Sequence, residues 1–175
     1  TTVEPGALRS PGRLVLPGDC SSAAFFLVAA SMVPDSVLTI EGMGLNPTRL
    51  AFLEILRRMG ASVTPTMTED AWEPRGIAVV EARSLRATSV PSQEVPGLID
   101  ELPILMVAAA CAKGLTRFQG IGELRVKETD RIRSMVDGLR RMGAWIPQPD
   151  PEAVEIEGGP LRGATVESAG DHRTA

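Results

Sequence analysis

Apolar and polar positions divide this chain into two alternating kinds of segment. Residues 21–33, SSAAFFLVAASMV, and residues 101–114, ELPILMVAAACAKG, are Ala-rich and almost uncharged, which predicts two helices buried all round. Each follows an aspartate, Asp19 or Asp100, placed to act as an N-cap or first-turn carboxylate. A second pair of segments is amphipathic. Leu50, Leu53, Ile55, Leu56 and Met59 recur at helical spacing, as do Ile132, Met135, Val136, Leu139 and Met142. Both end in Arg-Arg-Met-Gly-Ala, with Gly60 and Gly143 where a helix C-cap requires positive φ. GIAVVEA (76–82) and AVEIEGG (153–159) read as β-rich segments. Thr64–Pro74 and Pro147–Glu152 read as polar or Pro-rich connectors. At the end, ATVESAGDHR (164–173) predicts one more strand, with Asp171 opening a helix.

These segments repeat. Residues 37–63 and 115–146 both run strand, Gly-x-Gly, loop, amphipathic helix, Arg-Arg-Met-Gly-Ala, strand. The order predicts an α+β layer fold of βαβαββ units, two complete and the start of a third. The expected boundaries are a tail over 1–11, unit one over 12–84, unit two over 85–163 and the beginning of a truncated third unit over 164–175.

Composition narrows the function classes. A chain of 175 residues that is 43% hydrophobic can build one or two real cores. The net charge of −4 and 3% aromatics lack the basic stripe of a nucleic-acid binder. No apolar run is long enough for a membrane span, and TTVEPGALRSPGR has no signal-peptide h-region. Cys20 and Cys111 read as small buried hydrophobes in a reducing, cytoplasmic setting. No Cys/His cluster has metal-ligand spacing, and His172 is the only histidine.

The chemistry concentrates where the repeat breaks. Unit one joins its Gly-x-Gly to its helix with LNPTR. Unit two uses ELRVKETDR, and six of the ten residues 123–132 are ionisable. A solvated helix face is the bland explanation. If the helix starts near Lys127, however, Lys127 and Arg131 share a face, with Glu128 a step round. Two cations near free helix N–H groups suit an anion, and the carboxylate beside them can exchange protons with it. The sequence GDHR (170–173) adds another arginine and the lone histidine. Helices opened by Asp100 and Asp171 in one layer bring their N-termini to one side.

Four motifs, RVKETDRI (125–132), LIDELP (98–103), LPGDCSSAAFFLVAA (16–30) and GDHR (170–173), closely resemble the 5-enolpyruvylshikimate-3-phosphate synthase family, in the family's order, from about Gly12 to Arg173. The resemblance implies transfer of the enolpyruvyl group of phosphoenolpyruvate to the 5-hydroxyl of shikimate 3-phosphate, by addition and then elimination, without metal or organic cofactor. It implies Asp100 as base or orienting group at the attacking hydroxyl, and Lys127 as a shikimate 3-phosphate ligand. Glu128 would exchange protons with the methylene carbon. Arg131 and Arg173 would grip the phosphoenolpyruvate anion, with His172 beside them. The chain would correspond to two of the three units of one domain of a monomeric, glyphosate-inhibited enzyme, and would be inactive alone. Two other readings stand beside this one: a UDP-N-acetylglucosamine enolpyruvyl transferase-like chain, and a noncatalytic anion-binding repeat module.

Overall fold

The computed structural model describes every residue except Thr1, Leu8, Pro11, Ala71 and Pro149. Two apolar helices, α1 (Cys20–Met32) and α3 (Leu102–Cys111), pack against each other at the centre. Their alanines permit close approach, and Ala24, Leu27, Val28, Leu105, Met106 and Ala108 through Ala110 are fully buried. Each large side chain so buried is worth about 1.5–3 kcal/mol. Burial is not complete all round: Ser22, Phe26 and Ala29 form an exposed stripe on α1, with Phe26 65% accessible. Cys20 is buried, but Cys111 ends α3 on its outer side and is exposed, so only one cysteine is a core residue.

One sheet lies on each side of this pair. Strands β1 (Val37–Gly44), β2 (Ser62–Glu69) and β3 (Arg75–Glu81) form an antiparallel sheet in the order β1-β3-β2, on which α1 rests. β3 alternates buried and half-buried positions, as a central strand with one face on a core should. Strands β4 (Ser89–Val90), β5 (Gly114–Gln119) and β6 (Ala153–Gly158) form the second sheet, which α3 touches through β6. The amphipathic helices are α2 (Ala51–Arg58) and α4 (Arg131–Arg141). No helix among the described residues is long and apolar enough to cross a membrane.

The repeat extends to the pairing. β4 runs parallel to β5, and Gly18 bridges Met43 of β1 in the same sense. β2 pairs antiparallel with β3, and a single antiparallel bridge, Trp145 to Glu157, stands at the matching place beside β6. The helix ends are alike atom for atom. Gly60 N–H donates to the Arg57 carbonyl (2.8 Å) and Ala61 N–H to that of Leu56 (2.9 Å). Gly143 and Ala144 do the same to Arg140 and Leu139 at 2.9 and 3.0 Å. Both glycines have positive φ, 95° and 101°, closing a Schellman motif. The preceding arginine then staples the next segment: Arg57 Nε donates to the Val63 carbonyl (3.0 Å) and Arg140 Nε to that of Ile146 (3.1 Å). Arg58 couples the two sheets' segments, with a two-pronged pair to Glu94 at 2.7 and 2.9 Å.

Three expectations are corrected. Thr64–Pro74 is not all connector, because β2 continues to Glu69. Pro65 is tolerated there because β2 is an edge strand, and the alternating threonines favour extension. Residues 164–170 form no strand. Their carbonyls are taken instead by α4 side chains: Thr165 by Arg141 (3.3 Å) and Glu167 by Ser134 (3.1 Å). Asp171 accordingly opens a turn, not a helix. Finally, α4 begins at Arg131 rather than near Lys127, because the Asp130 side chain accepts from Arg133 N–H and fixes the cap one turn later. Gly60→Ala and Gly143→Ala are each expected to lower stability by about 1–2 kcal/mol through left-handed strain, additively at these separated sites. Urea unfolding midpoints of the single and double variants check this.

Candidate active site

The charge of residues 123–132 is sorted by function. Arg125 holds the loop, donating through Nη1 to Asp130 (2.8 Å) and through Nε to the Pro151 carbonyl (2.8 Å). Lys127 pairs with Glu123. Arg131 turns inward and is the largest fully buried side chain, 1% exposed.

A buried guanidinium stays charged, so its five donors demand carboxylates. Asp171 takes one edge, from Nε at 2.8 Å and from Nη2 at 3.3 Å. On the other edge, Nη2 also donates to Glu128, and Nη1 donates to Asp100 Oδ1 at 3.4 Å. Arg173 approaches the second oxygen of Asp100 at 3.7 Å. Asp171 also accepts from the Thr129 hydroxyl (2.9 Å) and the Arg173 amide (2.9 Å). Burial works to raise the Asp171 carboxyl. The Arg131 hydrogen bonds, then the Arg173 amide and the Thr129 hydroxyl, outweigh it and hold the group at about 2. Thus Asp100 and Glu128 meet the Arg131 guanidinium on its solvent side, 38% and 58% exposed, and Arg173 joins them through Asp100.

The remaining expectations fare differently. Lys127 does not share a helical face with Arg131, since it precedes the cap. The His172 ring is 67% exposed and its Nδ1 lies 3.9 Å from Asp171, beyond hydrogen-bond range. Asp19 is a true N-cap, accepting from Ser21 and Ser22 N–H. Burial would raise its carboxyl, but the Ser22 hydroxyl and the two amides leave it below its usual value. Asp100 is no cap, because α3 starts at Leu102 without a side-chain cap. The sequence reading missed Asp171 and Thr129 as the supports of Arg131. Their signal was available only as motif membership, Thr129 within KETDR and Asp171 within GDHR.

The N-terminus of α4, the turn before α3 and the turn at Asp171 meet through these contacts, and the Arg131 and Arg173 guanidinium groups both approach Asp100, at 3.4 and 3.7 Å. Asp171→Asn leaves Arg131 under-compensated and is expected to cost about 3–5 kcal/mol at neutral pH. Because the Asp171 carboxyl is lowered in the folded state, its stabilisation is complete above its ordinary value of 3.8 and is lost as pH falls through about 2. The deficit of the variant should therefore shrink by about 2 kcal/mol between neutral pH and pH ~2, as read from urea unfolding across that range.

Known proteins resemble the chain along its length. A family model described as EPSP synthase (3-phosphoshikimate 1-carboxyvinyltransferase) matches residues 1–175. The 3-phosphoshikimate 1-carboxyvinyltransferase of Synechococcus sp. (strain JA-3-3Ab) is 48% identical over 173 residues, covering 97% of this chain and 39% of the relative. That of Acidithiobacillus ferrooxidans (strain ATCC 53993 / BNL-5-31) is 48% identical over 174 residues, covering 96% and 40%. The chain thus spans about two fifths of the length of these relatives. The solved structure of EPSP synthase from Acinetobacter baumannii superposes with a TM-score of 0.86 at 40% identity, over 94% of this chain and 40% of that one. The enolpyruvyl transferase NikO from Streptomyces tendae shares the fold, with a TM-score of 0.61 at 18% identity over 83% and 31%. With its βαβαββ repeat, its motif-bearing cluster and a match along its whole length, this chain belongs to the EPSP synthase family.

Proposed function

We propose that a protein carrying this chain transfers the enolpyruvyl group of phosphoenolpyruvate to the 5-hydroxyl of shikimate 3-phosphate and releases phosphate, on the route to aromatic amino acids. The observation that carries this is the convergence of Asp100, Glu128 and Arg173 on buried Arg131, in a chain of this family.

Asp100 withdraws or orients the proton of the attacking hydroxyl, whose oxygen bonds to C2 of phosphoenolpyruvate. Glu128 delivers a proton to C3, making a methyl group. In the second step, the C2–phosphate oxygen bond breaks, the departing phosphate takes up the proton lost by the hydroxyl, and a methyl proton returns to the Glu128 carboxylate. Arg131 and Arg173 hold the phosphoenolpyruvate anion. The anion takes the place of Glu128 on the η edge of Arg131, and the freed carboxylate takes up from solvent the proton that it delivers to C3. Lys127, on the loop ahead of the cap, contacts shikimate 3-phosphate after parting from Glu123. His172 is exposed beside Asp171 and lines the anion's approach. A cytoplasmic monomer inhibited by glyphosate completes the reading.

An NMR titration of the labelled chain with shikimate 3-phosphate and phosphoenolpyruvate, with UDP-N-acetylglucosamine as control, tests recognition. Saturable shifts confined to Asp100, Lys127–Arg131 and Gly170–Arg173 are expected, and equal shifts with the UDP-sugar would refute the substrate. In a protein with the full length of the relatives, Glu128→Gln should lower kcat by about a hundredfold or more with little change in KM. A phosphate-release assay reads both constants.

A further inference from the structure

Asp100 and Glu101 are adjacent and carry the same charge, yet face opposite ways. Asp100 looks toward Arg131 and Arg173, whereas Glu101 is 3% exposed and faces α1. Its carboxylate accepts from the Ser21 hydroxyl. That hydroxyl in turn accepts from Arg49 Nη2 at 2.7 Å, and the same nitrogen lies 3.9 Å from Glu101 Oε1. Ser21 is itself placed by its backbone N–H, which donates to Asp19 Oδ1 of the cap at 3.1 Å. A chain Arg49, Ser21, Glu101 therefore links the turn before α2 and the start of α1 to the turn before α3.

Burial pushes the Glu101 carboxyl above its ordinary value, against the opposing Ser21 hydroxyl and Arg49 charge. A leucine would fill this place beside Leu98 and Leu102 without that cost. What the carboxylate supplies is direction. The Glu101 and Leu102 amides both donate to the Leu98 carbonyl at 2.9 Å, so Asp100 lies in a tight turn between buried Leu98 and buried Glu101.

We propose that Glu101, held by Ser21 and Arg49, is a positioning residue that locks this turn against α1 and thereby aims the Asp100 carboxylate at its substrate hydroxyl. The catalytic part of this inference rests on the role proposed for Asp100; the geometric part does not. Two measurements separate them. In the labelled 175-residue chain, the Asp100 carboxyl-carbon and Arg131 Nε resonances are compared among wild type, Ser21→Ala, Glu101→Ala and Glu101→Gln, with amide spectra to verify folding. Both alanine variants should move these resonances. Glu101→Gln keeps an oxygen for Ser21 and should restore them. Unmoved resonances in folded alanine variants, or a glutamine variant no better than alanine, would overturn the proposal. Where alanine at 101 prevents folding, Arg49→Ala at its half-exposed position serves instead: a smaller shift in the same direction supports the clamp, and none overturns it.

In the full-length protein, Glu101→Ala should lower kcat on the order of a hundredfold, KM staying within about twofold, with glutamine restoring turnover. Equal losses in KM and kcat would overturn positioning. A full-length wild-type protein without enolpyruvyl transfer would instead sink the functional reading, and the resonance shifts would still judge the clamp.

Discussion

A guanidinium that cannot give up its proton is buried at the junction of three chain segments, and that obligation organises the rest. Arg131 must be met by carboxylates wherever they come from, and the one that meets it most fully, Asp171, is forty residues away. The segment leading to Asp171 has no ladder of its own. It is held by α4, through Arg141 and Ser134 taking its carbonyls and through Arg131 taking its acid. Two further acids, Asp100 and Glu128, face the same charge from the solvent side. The ion pair is thus both the tether of the C-terminal stretch and the floor of the candidate site.

The two repeats solve one packing problem and diverge at one joint. Each pairs an apolar helix with an amphipathic one, closes the latter with a glycine-capped end and staples it with an arginine. Each also uses one arginine just ahead of, or at, the amphipathic helix to reach an acid of another segment. In the first unit this is Arg49, which serves Ser21 and Glu101; in the second it is Arg131. The short first loop therefore keeps the joining role, while the longer second loop adds exposed acids and a lysine to it.

Periodicity made most of the frame legible. The apolar runs became α1 and α3, the amphipathic stripes became α2 and α4, and both glycine caps stand where the pattern placed them. Edge strand β2 was hidden by Pro65, whose missing N–H an edge strand tolerates on its unpaired side. The strand expected over residues 164–170 does not form, because α4 side chains and not a neighbouring strand take its carbonyls. At the site, motif membership pointed to Asp100, Glu128, Arg131 and Arg173, which the fold does bring together. Local spacing could not show that Glu101 turns to α1, that Thr129 and Asp171 support Arg131, or that α4 waits until after Asp130. The first two depend on partners 40 to 80 positions distant, and the third on which of several acids takes the cap, Asp130 doing so through the Arg133 amide.

The turn from Leu98 to Leu102 gives two neighbouring acids opposite fates, one in the core and one at the cleft. Which acid takes which place is decided by counting from Leu98 and from the Pro103 at the second helical position, not by any difference in their charge. Deleting a single residue here would seat Asp100 in front of Ser21, one methylene short of reaching it, and leave the cleft without its acid. The segment should accordingly tolerate changes of side chain far better than changes of length, and an insertion or deletion there would be more damaging than several substitutions together.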